Sequence, residues 1–155
     1  MGEDGAIDRL MRKAIVPAAL LLLGGCAPFS DAVYEERLDG PYRLLAIDDM
    51  AEMMVVWEIP GGGMVGDGLP GPGVVRFGQD DRYLVAAVHP LLCRPVDRDC
   101  TRTGVDPTRT EYWYVVRSRD EVDRLPYAGI KGPFTRDQFA AESRRHSLPA
   151  FTRSF

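Results

Sequence analysis

Five short stretches of the chain alternate their side chains at a period of two, and most run directly into proline, glycine or aspartate. Such a pattern places successive residues on opposite faces, so the segments fold as strands that need partners. The first covers 42–47. In 53–59, Met53, Val55, Trp57 and Ile59 share one face. A short third covers 74–77. The fourth, 83–89, opposes Tyr83, Val85 and Ala87 to Leu84, Ala86 and Val88. The fifth, 111–117, holds Tyr112-Trp113-Tyr114-Val115-Val116 and is the richest in residues suited to a pleated surface. Gly78-Gln79-Asp80-Asp81 is turn chemistry, so the third and fourth strands are expected to form a hairpin. Connections this short favour antiparallel pairing.

One helix is legible near the C-terminus. Thr135 with Gln138 spells a capping box, and Phe134 with Phe139 spells a hydrophobic staple. Arg144-Arg145-His146 suits the negative end of the helix dipole, and Pro149 stops continuation. Ser118 with Glu121 marks a second, short turn through 124, and 128–131 is expected as a short edge strand. The expected fold is α+β and mainly β: a four- to six-stranded antiparallel sheet with a C-terminal helix packed on or beside it. Residues 60–73, rich in glycine and proline, are expected to be the least ordered part.

The N-terminal region obeys a different rule. Met11-Arg12-Lys13 is followed by an apolar run over 14–23 and then by Gly24-Gly25-Cys26. A basic start, an apolar middle and small residues are the layout of a secretory signal peptide. The run is too short for a bilayer, which needs about 20 apolar residues, and Pro17 interrupts it. A buried N-terminal helix would carry a polar face, and this run has none. Glu3, Asp4 and Asp8 precede the basic residues, which is atypical of a leader, so residues 1–10 are expected to derive from a mis-assigned start, with Met11 the true one.

Leu23-Gly24-Gly25-Cys26 resembles the lipobox of bacterial lipoproteins. The resemblance implies cleavage before Cys26, acylation (palmitate among the chains) of its thiol and new amino group, and attachment to a membrane through that residue. Ala27 stands where an aspartate would favour retention in the inner membrane, so the resemblance points to the periplasmic face of the outer membrane. Several acyl chains on one residue give stable anchoring where one gives only marginal binding. The expected organisation is a signal peptide over 1–25, a lipidated tether over 26–37 and a single β-rich globular domain over 38–155.

The mature chain would carry the full net charge of −4, because acids and bases balance before Cys26. Arg94, Arg98, Arg102 and Arg109 are interleaved with Asp97, Asp99 and Asp106, so they read as a solvated loop and not as a basic patch for nucleic acid. Cys93 and Cys100 are expected to form a disulfide, which in an oxidising compartment would stabilise by about 2.5 kcal/mol in the chain-entropy account. Zinc would want closer cysteine spacing and further ligands, and a redox pair would want C-x-x-C.

The remaining motifs are weaker than their plain explanations. Gly61-Gly62-Gly63-Met64-Val65-Gly66 matches G-x-G-x-x-G, yet Asp67-Gly68-Leu69-Pro70-Gly71-Pro72 cannot start the helix that a dinucleotide site requires. No P-loop lysine follows. His89 sits at a strand end and His146 at a helix end, and no G-x-S-x-G accompanies either. Asp48-Asp49 and Asp80-Asp81 read as turn residues, since neighbours on a strand point apart. Trp57, Tyr83, Tyr112, Trp113 and Tyr114 are candidates for a binding surface, with core packing the stronger reading. No catalytic residue, metal or cofactor is expected.

From residue 39 to 150 the chain also resembles a family of small bacterial lipoproteins with no assigned activity. The resemblance rests on Asp80-Asp81-Arg82-Tyr83-Leu84-Val85, on the aromatic strand at 112–116, and on Gly132-Pro133-Phe134-Thr135 before a helix containing Phe139. The cysteine loop at 93–100 and the connection over 119–127 depart from it. The expected function is a lipid-anchored module that binds or scaffolds an envelope protein partner without catalysis. The alternatives are an inhibitor or protective protein that plugs a partner's cleft with a loop, and a small envelope hydrolase.

Overall fold

The computed structural model describes residues 32–93, 104–117 and 129–155. The expected leader, Cys26, Cys100, the arginines at 94, 98 and 102, and the turn expected after Ser118 lie outside the described residues. The fold is mainly β, as the alternation required, but it contains two antiparallel sheets. Strands β1 (Tyr34–Arg37), β2 (Tyr42–Ala46), β3 (Met54–Glu58) and β4 (Met64–Val65) form one, in chain order. Strands β5 (Val74–Gln79), β6 (Tyr83–Val88), β7 (Glu111–Val116), β8 (Ile130–Phe134) and β9 (Arg153–Ser154) form the other, in the order β8-β7-β6-β5-β9. Helix α1 (Arg136–His146) packs on β7 and β8.

Two covers explain why every residue of β6 is buried. Leu84, Ala86 and Val88 point into the core between the sheets, against Leu44, Val55, Trp57 and Phe77. Tyr83 and Val85 point the other way, into a second cluster with Tyr114 and Phe139 beneath α1. A central strand covered on both faces needs apolar residues throughout, and Tyr83-Leu84-Val85-Ala86-Ala87-Val88 supplies them. Each large side chain so buried contributes roughly 1.5–3 kcal/mol.

The expected β5–β6 hairpin is present, and its turn is built by Asp80. The Asp80 carboxylate accepts the backbone N–H of Arg82 at 2.8 Å and of Tyr83 at 2.7 Å. Asp49 does the same work after β2, where it caps a 3₁₀ turn over Met50–Glu52 and accepts Ala51 N–H at 2.9 Å. Both acidic pairs are therefore turn devices. The capping box of α1 is also formed, with Thr135 and Gln138 bonding each other's backbone, and Ser147 ends the helix in the left-handed region at φ 54°.

Three boundaries move. Tyr34–Arg37 was expected within the tether, yet it pairs with β2 in register from Tyr34 opposite Ala46 to Arg37 opposite Arg43. Its polar residues belong to an edge strand, where Arg43 bridges Glu35 and Glu58 across three strands. The expected edge strand at 128–131 is observed as Ile130–Phe134. The 60–73 segment is not a loose loop: β4 pairs with β3, Leu69 and Pro70 are buried, and Val55 N–H bonds the Pro70 carbonyl at 2.9 Å. Backbone pairing and two apolar anchors outweigh the freedom of its glycines.

The sheets meet at two seams. At one, the N–H groups of Gly73 and Val74 both donate to the Met53 carbonyl, at 2.9 and 2.8 Å. At the other, Arg153 of β9 bonds Glu36 of β1, and Tyr34 stands edge-on to Phe155 with centroids 5.5 Å apart. Arg117, just past β7, adds a clasp by donating to the carbonyls of Asp39, at 2.7 Å, and of Asp80.

Candidate functional site

The five aromatic residues singled out in the sequence do not form one surface. Trp57 is buried between the sheets and meets Tyr42 edge-on at 5.1 Å. Tyr83, Tyr112 and Tyr114 lie on the opposite face of the second sheet, beneath α1. Trp113 points away from its neighbours on β7, as strand alternation demands, and packs at the margin of the inter-sheet core. The aromatic pattern is thus mostly core packing, and Trp113 alone reaches a cleft.

That cleft has a volume of about 500 Å³ and is lined by Gly71, Pro72, Val88, Pro90, Leu91, Leu92, Arg109, Glu111 and Trp113. Three segments build it: the turn leading into β5, the chain leaving β6, and the start of β7. Pro72 and Pro90 give it rigid walls, since proline fixes its own backbone angle. Leu91 pairs with Val105 in an isolated antiparallel bridge, which holds the far wall in place. Leu92 remains 41% exposed at the mouth.

Two charges stand in the wall. Arg109 approaches Glu111 at 3.3 Å, so they largely neutralise one another and leave no net field for a strongly charged ligand. The Trp113 indole nitrogen is buried and has no hydrogen-bond partner among the described residues. Walls fixed by proline and lined by both polar and apolar groups suit a short segment of another molecule that carries both. No nucleophile and base are brought together among the described residues that line it. Among the described residues no group of three histidine, cysteine, aspartate or glutamate side chains is placed to hold a metal.

A second polar constellation lies under α1. The Tyr114 hydroxyl donates to Glu142 at 2.8 Å, and the same carboxylate group lies 3.5 Å from His146 Nε2 and 4.0 Å from Arg145. Burial, the hydrogen bond to Glu142 and that residue's negative charge push the Tyr114 hydroxyl up to about 12. A phenol this reluctant to ionise is a poor nucleophile or base near neutrality. The arrangement pins the helix to the sheet, helped by stacking of Tyr114 on Phe134 at 5.8 Å and of Tyr112 on Phe139 at 5.2 Å.

His89 follows β6 at half-buried exposure, and its backbone N–H donates to the Gly73 carbonyl at 2.8 Å. Cys93 is disulfide-bonded, while Cys100, the expected partner, lies outside the described residues. Pro72, Pro90 and Leu91 escaped the sequence reading because nothing local marks residues that meet only through sheet packing. Arg117 escaped for the same reason. Comparison of the chain with family models, with curated proteins and with solved structures returns no match. Among the described residues no helix is long and apolar enough to cross a membrane.

Proposed function

We propose that this chain is a lipid-anchored protein of the bacterial envelope whose folded domain binds another envelope component without catalysis. The observation that carries the reading is Leu23-Gly24-Gly25-Cys26 at the end of a basic-then-apolar leader. A secretory leader ending in a small-residue site has no chemical need of cysteine at the cleavage point, whereas thioether acylation requires one. Ala27 favours the outer membrane over the inner. The cleft beside Trp113 is the natural docking place for a segment of a partner, since Pro72 and Pro90 hold its walls and it offers both apolar and polar groups. An oxidising compartment also accords with a disulfide-bonded Cys93.

Replacement of Cys26 by serine tests the reading. Serine cannot form the thioether, so the domain, once freed of residues 1–25, is expected to move almost completely from the membrane fraction into the soluble periplasmic fraction on cell fractionation. Retention in the membrane fraction of Cys26→Ser protein from which residues 1–25 have been removed would contradict the anchor.

A further inference from the structure

Val33 donates its backbone N–H to the Ile47 carbonyl at 3.1 Å, which extends the β1–β2 ladder one step beyond Tyr34 opposite Ala46. Residues directly opposite one another in an antiparallel pair project their side chains from the same face. Both side chains are in solvent: Val33 is 55% and Ile47 44% exposed. Met50, in the 3₁₀ turn that follows β2, is 41% exposed. Three large apolar side chains are therefore left uncovered at one end of the first sheet. That end is where the folded unit receives the segment running back to Cys26.

Val33 stands seven positions after Cys26. Fully extended chain spans at most about 3.6 Å per residue, so the reach is about 25 Å. A folded unit of this size is about 35 Å across. The link is shorter than the unit it holds, so this end cannot be turned to the side far from the anchor. Apolar side chains held beside a bilayer gain by entering its interfacial layer.

We propose that Val33, Ile47 and Met50 form a lipid-facing surface that docks the domain on a zwitterionic bilayer. The proposal rests on acylation of Cys26 as read above. Asp48, Asp49 and Glu52 rim the same end and are exposed. Asp49 is already engaged in capping the 3₁₀ turn. These carboxylates keep the contact shallow and are repelled by anionic headgroups, which is why the surface suits neutral lipid. Docking in this orientation turns a tethered domain into an oriented one.

The test uses the full lipidated protein in vesicles of phosphatidylethanolamine and phosphatidylcholine that contain a lipid with a photoactivatable group near its headgroup. Peptides covering Val33, Ile47 and Met50 are expected to take up label at least about fivefold more than peptides from α1 or from 90–92. Added phosphatidylglycerol is expected to lower that labelling. The triple variant V33S/I47S/M50S, whose changes are all on exposed positions, is expected to lose most of the excess while keeping its thermal midpoint. Acylated protein labelled evenly, labelled chiefly on α1, or labelled as strongly in the triple variant would overturn the orientation. An N-terminal mass without acyl chains in the same sample would overturn the anchor and the orientation together.

Discussion

Replacement of Gly73 by alanine is expected to lower the stability of the domain by about 3 kcal/mol or more, and to drop its thermal midpoint by about 10–15 °C. Gly73 has φ +101°, a conformation that L side chains rarely adopt. A Cβ there would run into the His89 carbonyl oxygen and would come within 2.8 Å of Val105 Cγ1. Neither neighbour can yield easily. His89 N–H is bonded to the Gly73 carbonyl, Gly73 N–H is bonded to the Met53 carbonyl, and Val105 is bridged to Leu91. One methyl group would thus push on the seam joining the two sheets and on the wall of the cleft at once. Denaturant unfolding of the purified variant beside the native protein measures the loss. A midpoint within about 2 °C of native would show that the seam does not bear on stability.

The second large effect appears only in alkali. Tyr114 has its hydroxyl pushed up to about 12 by burial first, and then by the hydrogen bond to Glu142 and that residue's charge. In the unfolded chain the same hydroxyl titrates near its ordinary value of about 10. A group whose pKa is raised on folding contributes its full stabilisation below the unfolded value and loses it as pH rises toward the folded one. Stability is therefore expected to fall between about pH 10 and 12, by on the order of 2 kcal/mol for this group alone. Tyr34 is also raised, chiefly by its hydrogen bond to Glu36, and adds to the same trend. Tyr114→Phe separates the two contributions. It is expected to cost about 1 kcal/mol at pH 8, through loss of one hydrogen bond, and to show a shallower decline above pH 10. Equal slopes for the variant and the native protein in that range would refute the assignment.

Much of the architecture was legible because it is written locally. Period-two alternation located β2, β3, β6 and β7, and turn residues located the β5–β6 hairpin. Helix α1 was marked by Thr135, Gln138 and its closing basic residues, whose chemistry acts within a few positions. What escaped depends on distant pairing. Tyr34-Glu35-Glu36-Arg37 reads as a polar spacer until Arg43 and Arg153 are brought against its carboxylates. Glycines and prolines over 60–73 suggest a free loop until Leu69 and Pro70 are buried and the backbone is bonded to β3. One sheet was expected from the sequence where there are two, because which strands pair across the chain is set by register between distant segments.

The candidate site followed the same division. Trp113 was among the aromatic residues selected from the sequence, and alternation sets it apart from Tyr112 and Tyr114, but which face opens on a cleft depends on what covers each. Its companions Pro72 and Pro90 are 18 residues apart in the chain and carry no signal that pairs them. The leader and Cys26 are the reverse case. In the proposed reading their meaning is entirely linear, because a processing enzyme would read them in an extended chain before any fold exists.

The most direct test is an intact-mass measurement of the protein isolated from its membrane, followed by sequencing of the N-terminal peptide by fragmentation. The account predicts that residues 1–25 are absent and that the first residue is Cys26 carrying fatty acyl groups on sulfur and nitrogen. A first residue upstream of Cys26, or a Cys26 of unmodified mass, would contradict it.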